Sequence, residues 1–264
     1  MKLVRFHLLS DPESIRAGFV HQGRVYETDG TSPIAVHDWA DTQLLAPIGK
    51  PNSVRFVPSG FGVGGGQAGF DSEDSGPQFV YLNPGSVVGS HSNLLLDDDF
   101  GGVSLKCCLA LAVAEAGMNL DPGQALGCAI GFAMALVAYS PELERRELAS
   151  GLGLSRRHDF AIPVGPALTS PDEMSDDLGP EGDFVAPFAC TLSLNGADVA
   201  VFDSTDGPVS LPSIVSFASQ TAPIRAGDLF LVELGPTRQG LRIEPGDEIR
   251  WTSDRLGSLA LRRI

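Results

Sequence analysis

The chain has 264 residues, of which 43% are hydrophobic, and it carries a formal net charge of −15 at pH 7. Nucleic acids and anionic membrane surfaces attract basic proteins, so this acidity argues against both as partners. A charged fraction of only 19%, with 31 glycines and 19 prolines, is typical of a strand-rich and loop-rich fold rather than a helical bundle.

The beginning of the chain predicts a small β-rich unit. A hairpin is expected over residues 17–26, with its turn at His21-Gln22-Gly23. Residues 50–52 read Lys-Pro-Asn, which is typical of a linker. We therefore divide the chain into a small N-terminal β-rich domain, 1–50, and a larger C-terminal domain, 51–264.

The next part of the chain predicts strands at residues 53–57, 78–82 and 103–113, separated by loops. The glycine-rich stretch 59–66 is not followed by a Lys-Ser/Thr pair or by a clear helix, so it indicates a flexible loop or lid rather than a phosphate-binding loop. Three aspartates at 97–99 indicate an exposed acidic loop, with a cation site as the less favoured alternative.

A short helix is predicted to begin at Asp121, as its cap, and Pro122, as its first residue. The apolar run that follows, residues 125–139, is interrupted by Gly127 and Gly131 and is shorter than the roughly 18 residues of a membrane span. We therefore interpret it as the end of that helix followed by a buried strand.

The C-terminal half predicts alternating short elements. Asn195-Gly196 is the strongest hairpin signal in the chain, and Glu233 is the one acid in an otherwise apolar strand. The predicted elements are helices at 142–147 and 210–219, a hairpin of 191–194 with 198–202, and strands at 229–234, 248–252 and 258–263.

The cysteines lie in apolar surroundings and form neither a CxxC pair nor a zinc-type spacing. They are Cys107, Cys108, Cys128 and Cys190. We expect buried, reduced thiols in a cytoplasmic protein. The first residues do not have the apolar length of a signal peptide.

Several short stretches, each weak alone, occur in the order and spacing of a known family. They include Phe-Val-Tyr-Leu-Asn-Pro-Gly-Ser-Val-Val-Gly at 79–89, Ile-Pro-Val-Gly-Pro at 162–166 and Ile-Arg-Ala-Gly-Asp at 224–228. Together the chain resembles the fumarylacetoacetate hydrolase family. The resemblance implies an α+β, mostly β fold, a mixed β-roll with short peripheral helices, and a homodimer.

The resemblance also implies a metal site, and the residues at its positions differ here. In the family, two glutamates of an Asp-x-Glu-x-Glu strand and the aspartate of an Asn-Asp pair hold a divalent cation, and a loop histidine activates water. In this chain the glutamate positions hold Lys106 and Cys108, the Asn-Asp pair falls on Ala135 and Leu136, and the loop histidine falls near Gly64.

A hard divalent cation prefers carboxylate and carbonyl oxygens, whereas a lysine at the site supplies a positive charge. We therefore predict no metal and no other cofactor. An ordinary metal-dependent enzyme would need a relocated site built from other acids, such as Glu115 or Glu233, and this is the least favoured alternative.

Lys106 and Cys108 have the parity of one strand face, which in the family frame lines the former metal cavity. Lys106 can bind a carboxylate or enolate, act as a base or form a Schiff base. The more conservative interpretation, which we favour, is that Lys106 pairs with Glu233. Cys108 is a candidate nucleophile or substrate contact, but a buried core thiol is the commoner case.

A second group of candidates precedes the Pro-Val-Gly-Pro stretch. Arg156 falls at the position of a family lysine and is a candidate for substrate binding, and Asp159 also matches the family. His158 and Asp159 can form an acid–base pair only if a turn brings the two side chains together; a solvated loop is the alternative. Gly64 is the remaining substrate-binding candidate.

These candidates leave two main functional hypotheses. The chain is either a repurposed or catalytically silent paralogue that binds a small carbonyl or carboxylate compound, or a metal-independent enzyme acting on a β-keto, enol or polyketide-like substrate. For the enzyme, hydrolysis, decarboxylation, dehydration and ring closure remain open. Fold alone cannot separate these hypotheses, because function depends on the site.

Overall fold

The polypeptide folds mainly into β-strands. The computed structural model describes residues 1–58, 77, 79–94, 102–150, 156–206, 210–235 and 241–264. Within these ranges it contains eighteen strands and three α-helices. The strands are β1 (Lys2–Leu8), β2 (Asp11–His21), β3 (Arg24–Thr28), β4 (Pro33–Asp38), β5 (Thr42–Leu44), β6 (Ser53–Val57), β7 (Val80–Leu82), β8 (Val87–Val88), β9 (Asn93–Leu94), β10 (Val103–Val113), β11 (Ala129–Tyr139), β12 (Ile162–Thr169), β13 (Ala189–Leu194), β14 (Ala197–Asp203), β15 (Asp228–Glu233), β16 (Leu241–Ile243), β17 (Glu248–Ser253) and β18 (Gly257–Arg263). The helices are α1 (Pro122–Gly127), α2 (Pro141–Ser150) and α3 (Leu211–Thr221).

The strands form two sheets. The larger runs β4-β3-β2-β1-β12-β11-β10-β15-β6-β7, with β5, β8 and β16 attached beside this path, and the smaller runs β14-β13-β17-β18-β9. Most neighbouring strands are antiparallel, and β15 with β6 is a parallel pair. This is the mixed, mostly β architecture that the resemblance implies.

The antiparallel pair β10 and β11 lies near the centre of the larger sheet. Every residue of β10 is buried, as expected for a strand covered on both faces, which reads as a continuous apolar run. Cys108 lies opposite Ala135 on β11 and opposite Glu233 on β15. These registers decide which side chains meet across the central strands.

Alternate residues of β10 face two different hydrophobic clusters. Cys107 and Leu109 join the cluster that contains Trp251 and α3. Cys108 and Ala110 join a second cluster with residues of β6, β11, β12 and β15. Since side chains alternate along a strand, Lys106 lies on the same face as Cys108, and the predicted parity of these residues is confirmed.

The helix α1 connects β10 to β11 and begins where the sequence predicts. The Asp121 side chain accepts a hydrogen bond from the Gln124 backbone N–H at 2.7 Å, and Gln124 bonds back to the Asp121 N–H at 3.0 Å. This reciprocal capping satisfies two backbone donors of a helix that has only six residues.

Both predicted hairpin turns are present, because each contains residues that tolerate a positive φ. Gln22 and Gly23 adopt φ values of 48° and 75°, and Asn195 and Gly196 adopt 51° and 81°. These values suit two-residue turns that match the twist of the strands.

Other sequence predictions have mixed outcomes. Strand β7 begins two residues later than expected, at Val80, and residue 78 lies outside the described residues. The predicted loops 59–66 and 97–99 also lie outside them. Strands β4, β5, β8, β9, β12 and β16 were not predicted. No described helix combines the length and the apolar character that spanning a membrane requires.

Candidate functional site

A buried ion pair lies on the face of the central strands that also carries Cys108. Lys106 Nζ is 2.9 Å from Oε2 and 3.2 Å from Oε1 of Glu233, whose side chain is fully buried. Because Glu233 pairs with Cys108 in the β10–β15 register, Lys106 lies diagonally across from it on the same face. The conservative interpretation of Lys106 therefore matches the observed contact, whether or not the pair also has a function.

Tyr139, the last residue of β11, adds an aromatic wall to this ion pair. Its ring centroid is 5.0 Å from Lys106 Nζ, within the range of a cation–π contact. The β10–β11 register places Tyr139 opposite Ser104, two residues from Lys106 on the same face. Three neighbouring strands thus converge on the ammonium group.

A buried turn before β12 brings an imidazole and a guanidinium to the same place. The His158 ring packs against the rings of Phe56 and Tyr139, with centroid separations of 5.4 and 5.8 Å. Arg157 Nε donates to His158 Nδ1 at 3.2 Å, and its Nη1 donates to Glu144 of α2. The Ser140 N–H donates to the Arg157 carbonyl at 2.9 Å, which fixes the turn against the end of β11.

His158 is held neutral by its surroundings. Burial, with smaller contributions from the positive charges of Arg157 and Lys106, lowers its pKa to about 2. A proton on this ring would lack solvent and would face two cations. The imidazole therefore stays uncharged throughout the physiological pH range.

Cys108 shows the features of a core thiol rather than those of a nucleophile. It is fully buried, and burial, followed by the negative charge of Glu233, raises the pKa of its thiol well above the usual value. Its Sγ lies 3.7 Å from the carbonyl oxygen of Lys106. Since the thiolate is the reactive form of cysteine, this environment disfavours covalent chemistry at Cys108.

The turn does not bring the side chains of His158 and Asp159 together, so the condition for an acid–base pair is not met. Asp159 is exposed and accepts a hydrogen bond from Asn83 Nδ2 at 2.7 Å, whereas the neighbouring His158 points into the interior. Adjacent residues of this turn thus take opposite directions. Asp159 anchors the turn to the 3₁₀ helix Pro84–Ser86, for which Asn83 is the cap.

Arg156 lies outside the buried cluster of Lys106 and His158. Its side chain is exposed, and its backbone N–H donates to Glu147 Oε1 at 2.6 Å. The buried cation of the turn is Arg157, one residue later, which is 2% exposed. The remaining substrate-binding candidate, Gly64, lies outside the described residues.

On the face where the resemblance places the metal ligands, the described side chains are poor ligands for a divalent cation. Opposite Lys106 and Cys108 lie the aliphatic side chains of Val137 and Ala135, while Leu136 belongs to the other face. Across the described ranges, no group of three or more His, Cys, Asp or Glu side chains could hold a metal ion. An ammonium group and a neutral thiol are poor ligands for Mg²⁺ or Ca²⁺.

The charged and aromatic side chains around Lys106 and His158 mark this cluster as the candidate site, and a surface groove does not. An open groove of about 520 Å³ lies on the smaller sheet, lined by residues such as His91, Arg250 and Arg262. It shares no residue with the interior cluster of Lys106 and His158.

Sequence reasoning missed Arg157 and Tyr139. Tyr139 could have been found by extending the face of Lys106 across a β10–β11 hairpin, because the parity is readable once that register is known. Arg157 carries no sequence signal that separates it from Arg156, since only the path of the turn decides which of the two is buried.

Comparison with known proteins places the chain in a family. The model of the fumarylacetoacetate (FAA) hydrolase C-terminal domain matches residues 64–262. The chain belongs to the fumarylacetoacetate hydrolase family. Its similarity to curated proteins is low. It is 23% identical over 182 residues to oxaloacetate tautomerase fahd2, mitochondrial, from Xenopus laevis, covering 66% of this chain and 54% of that protein.

A human relative and two solved structures extend the comparison. The chain is 23% identical to oxaloacetate tautomerase FAHD2B, mitochondrial, from Homo sapiens, over 85% of this chain and 70% of that one. It superposes on 5-carboxymethyl-2-hydroxymuconate delta-isomerase from Mycobacterium smegmatis with a TM-score of 0.79 at 18% identity, covering 100% and 98% of the chains. For maleylpyruvate hydrolase from Sphingobium sp. SYK-6, in complex with manganese(II) and pyruvate, the TM-score is 0.76 at 18% identity, with 100% and 99% covered. These structures show the fold, whose family includes isomerases and hydrolases.

Proposed function

We propose that this chain is a repurposed family member that binds a small carbonyl or carboxylate compound at Lys106 without a resident divalent cation. The supporting observation is the buried contact of Lys106 Nζ with both carboxylate oxygens of Glu233, at 2.9 and 3.2 Å. This contact stands on the face where the family places its metal ligands.

The charge balance of the cluster suits a weakly anionic or polarised ligand. The ammonium of Lys106 and the guanidinium of Arg157 are opposed by Glu233 and Glu144. An ammonium group has three N–H donors, and Glu233 uses at most two of them. The third can donate to a carbonyl or carboxylate oxygen, so binding does not require that the ion pair be broken.

The first experiment asks whether a metal belongs to the protein. Protein purified without chelator is analysed for metal content and melted in EDTA, Mg²⁺, Mn²⁺ or Ca²⁺. An ion at ~100 times its Kd would stabilise the fold by about 2.7 kcal/mol, which would visibly raise the melting temperature. We expect no stoichiometric metal and no shift, and a protective ion would overturn the metal-free proposal.

The second experiment measures ligand binding directly. Pyruvate and oxaloacetate are titrated calorimetrically into the wild type, into Lys106→Met/Glu233→Gln, which removes both charges, and into the exposed control Lys50→Met. We expect the wild type and the control to bind at least one compound and the double variant to lose that binding. Failure of both compounds to bind the wild type would refute the proposed ligand class.

A metal-independent enzyme is the second candidate, and the buried imidazole of His158 favours it. The mitochondrial relatives are named oxaloacetate tautomerases, and tautomerisation moves one proton between an enol oxygen and a carbon. Loss of enol-oxaloacetate is followed in EDTA for the wild type and for Lys106→Met/Glu233→Gln. Turnover that survives in the double variant would remove Lys106 and Glu233 from such a mechanism.

A Schiff base at Lys106 is tested separately. The chain has three lysines, Lys2, Lys50 and Lys106, so pyruvate with borohydride followed by peptide mass spectrometry locates any adduct. We expect no adduct at Lys106, because its nitrogen is held in an ion pair by both carboxylate oxygens of Glu233.

Two further expectations remain part of this proposal, one from the family resemblance and one from the apolar surroundings of the cysteines. We expect a homodimer, which sedimentation equilibrium would show as twice the chain mass of 27.7 kDa. We also expect a cytoplasmic location, which fluorescence of a tagged full-length protein would check.

A further inference from the structure

The contact between Arg157 and His158 fixes which imidazole nitrogen carries the proton. A guanidinium nitrogen only donates hydrogen bonds, so His158 Nδ1, 3.2 Å from Arg157 Nε, must be the acceptor. A neutral imidazole has a single ring proton, which therefore resides on Nε2. The histidine presents an N–H donor, and its only basic lone pair is already occupied.

That Nε2–H has no hydrogen-bond partner among the described residues, although it is buried. The His158 residue is 3% exposed, and leaving a buried donor unsatisfied costs roughly 1–3 kcal/mol. The edge-to-face packing with Phe56 allows at most a weak N–H···π contact. An unsatisfied donor of this kind, beside a buried ammonium group, indicates a place for an oxygen atom supplied by a ligand.

The charged and aromatic side chains around His158 determine which kind of oxygen atom can bind there. Lys106 of β10, Glu233 of β15 and Tyr139 of β11 approach from the strands, and Arg157 and Glu144 approach from the turn and from α2. The Lys106 ammonium and the His158 ring both lie within 6 Å of the Tyr139 ring centroid. The two donors therefore pack against the same aromatic ring.

We propose that Arg157 is a positioning residue that holds His158 as a neutral Nε2–H donor for the carbonyl or enolate oxygen of the bound compound. His158 then acts as an electrophilic contact and does not serve as a general base. This inference rests on the proposed function, because it assumes that a carbonyl compound enters the cluster. A neutral imidazole can stabilise a developing oxyanion in this way without carrying a charge.

The tautomer is tested by NMR of protein labelled with ¹⁵N-histidine, with His158→Phe used to assign the signals. We expect an unprotonated Nδ1 and a protonated Nε2 in the wild type, unchanged between pH 5 and 8. Arg157→Lys keeps the charge but lacks the Nε–H, so the Nε2–H preference should weaken. The signals of the exposed His21 serve as the internal control. A proton on Nδ1 in the wild type would overturn the assignment.

The ligand contact is tested with pyruvate and with oxalate, a stable mimic of an enolate. We expect His158→Phe to lose affinity by roughly 10-fold or more. His158→Gln, whose amide can place a donor near Nε2, should stay within about 3-fold of the wild type, and His21→Phe should not change.

The outcomes separate this inference from the proposed function. If His158→Phe binds as the wild type does while Lys106→Met/Glu233→Gln does not, the proposed function stands and the role of His158 is wrong. If the wild type binds neither probe, the proposed function fails together with the ligand contact. A melt of each variant confirms that it is folded before its affinity is interpreted.

Discussion

At the scale of single residues, the Lys106–Glu233 pair is a buried ion pair whose two charges depend on each other. Taking two charges out of water is expensive, and their attraction compensates only while both partners are present. Removing one partner leaves an uncompensated charge in the fully buried position of Glu233 or beneath the Tyr139 ring. The pair is therefore a constraint on stability whether or not a ligand uses it.

We predict that Lys106→Met or Glu233→Gln alone lowers the free energy of unfolding by about 3–5 kcal/mol, and that the double variant loses much less. Urea denaturation of the four proteins gives the coupling between the two positions. The control is Arg242→Met, which breaks an exposed ion pair with Glu244 and should cost at most about 1 kcal/mol. Additive losses at Lys106 and Glu233 would contradict the prediction.

His158 predicts a specific dependence of stability on pH. Its pKa is lowered to about 2 in the folded chain from an ordinary 6.5, so below pH 6.5 the unfolded chain binds a proton that the folded chain excludes. The free energy of unfolding contains this contribution in full above pH 6.5. It loses about 1.4 kcal/mol per pH unit as the pH falls from 6.5 toward 2.

The measurement is urea unfolding of the wild type and of His158→Phe at pH 7.5 and pH 5. The wild type should lose about 2 kcal/mol more than the variant between these two values. His21→Phe, which removes an exposed histidine, should retain the wild-type dependence. Identical pH dependence in the wild type and His158→Phe would show that the buried ring is not held neutral.

The sequence reveals one half of this cluster and hides the other. Lys106 and Glu233 stand out because each is the single charge of a predicted apolar strand, 103–113 and 229–234, and the observed register places them on a common face. Arg157 and Arg156 are indistinguishable in sequence, because their burial depends on how the turn packs against β11. The direction of His158, away from Asp159, depends on the same packing.

At the scale of elements, the predictions succeed where local chemistry decides the structure. The turns at Gly23 and Gly196 and the capping of α1 by Asp121 are readable because glycine and the cap side chain act within a few residues. Strand β12 could not be predicted from the sequence, because it contains Pro163 and Pro166, which normally argue against a central strand. Its register with β11 is irregular between Phe132 and Met134, and this irregularity lets the two strands pair in spite of the prolines.

Gly131 of β11 and Gly127 of α1 allow a test of how closely β11 approaches β12. A Cβ at Gly131 would lie 2.6 Å from the Thr169 carbonyl oxygen, whereas a Cβ at Gly127 meets nothing within 4 Å. We predict that Gly131→Ala destabilises the fold by about 1–3 kcal/mol, because the backbone of β12 must move. Gly127→Ala is the matched control and should be neutral in thermal melts, and equal effects of the two changes would refute this view of the β11–β12 contact.

At the scale of the whole molecule, the N-terminal strands both form their own cluster and extend the larger sheet. Val4, Phe6, Val25 and Leu44 pack together, and Ala167 of β12 joins them. Strand β1 also pairs with β12 through Lys2 and Leu3. The Met1 amino group donates to Ser170 at 2.6 Å and to Glu173 at 2.7 Å. The first residue is therefore bonded to side chains of the predicted C-terminal domain, 51–264.

We propose that residues 1–50 are a distinct unit in sequence but unfold together with residues 51–264. Removing them would expose the edge of β12 and the Ala167 side chain, and an unpaired strand edge promotes aggregation. We therefore predict one cooperative transition for the full chain in calorimetry, and a fragment 51–264 that melts at a lower temperature and aggregates. Two separate transitions, or a fragment as stable as the full chain, would instead make the N-terminal unit an independent appendage whose contacts with β12 contribute little to stability.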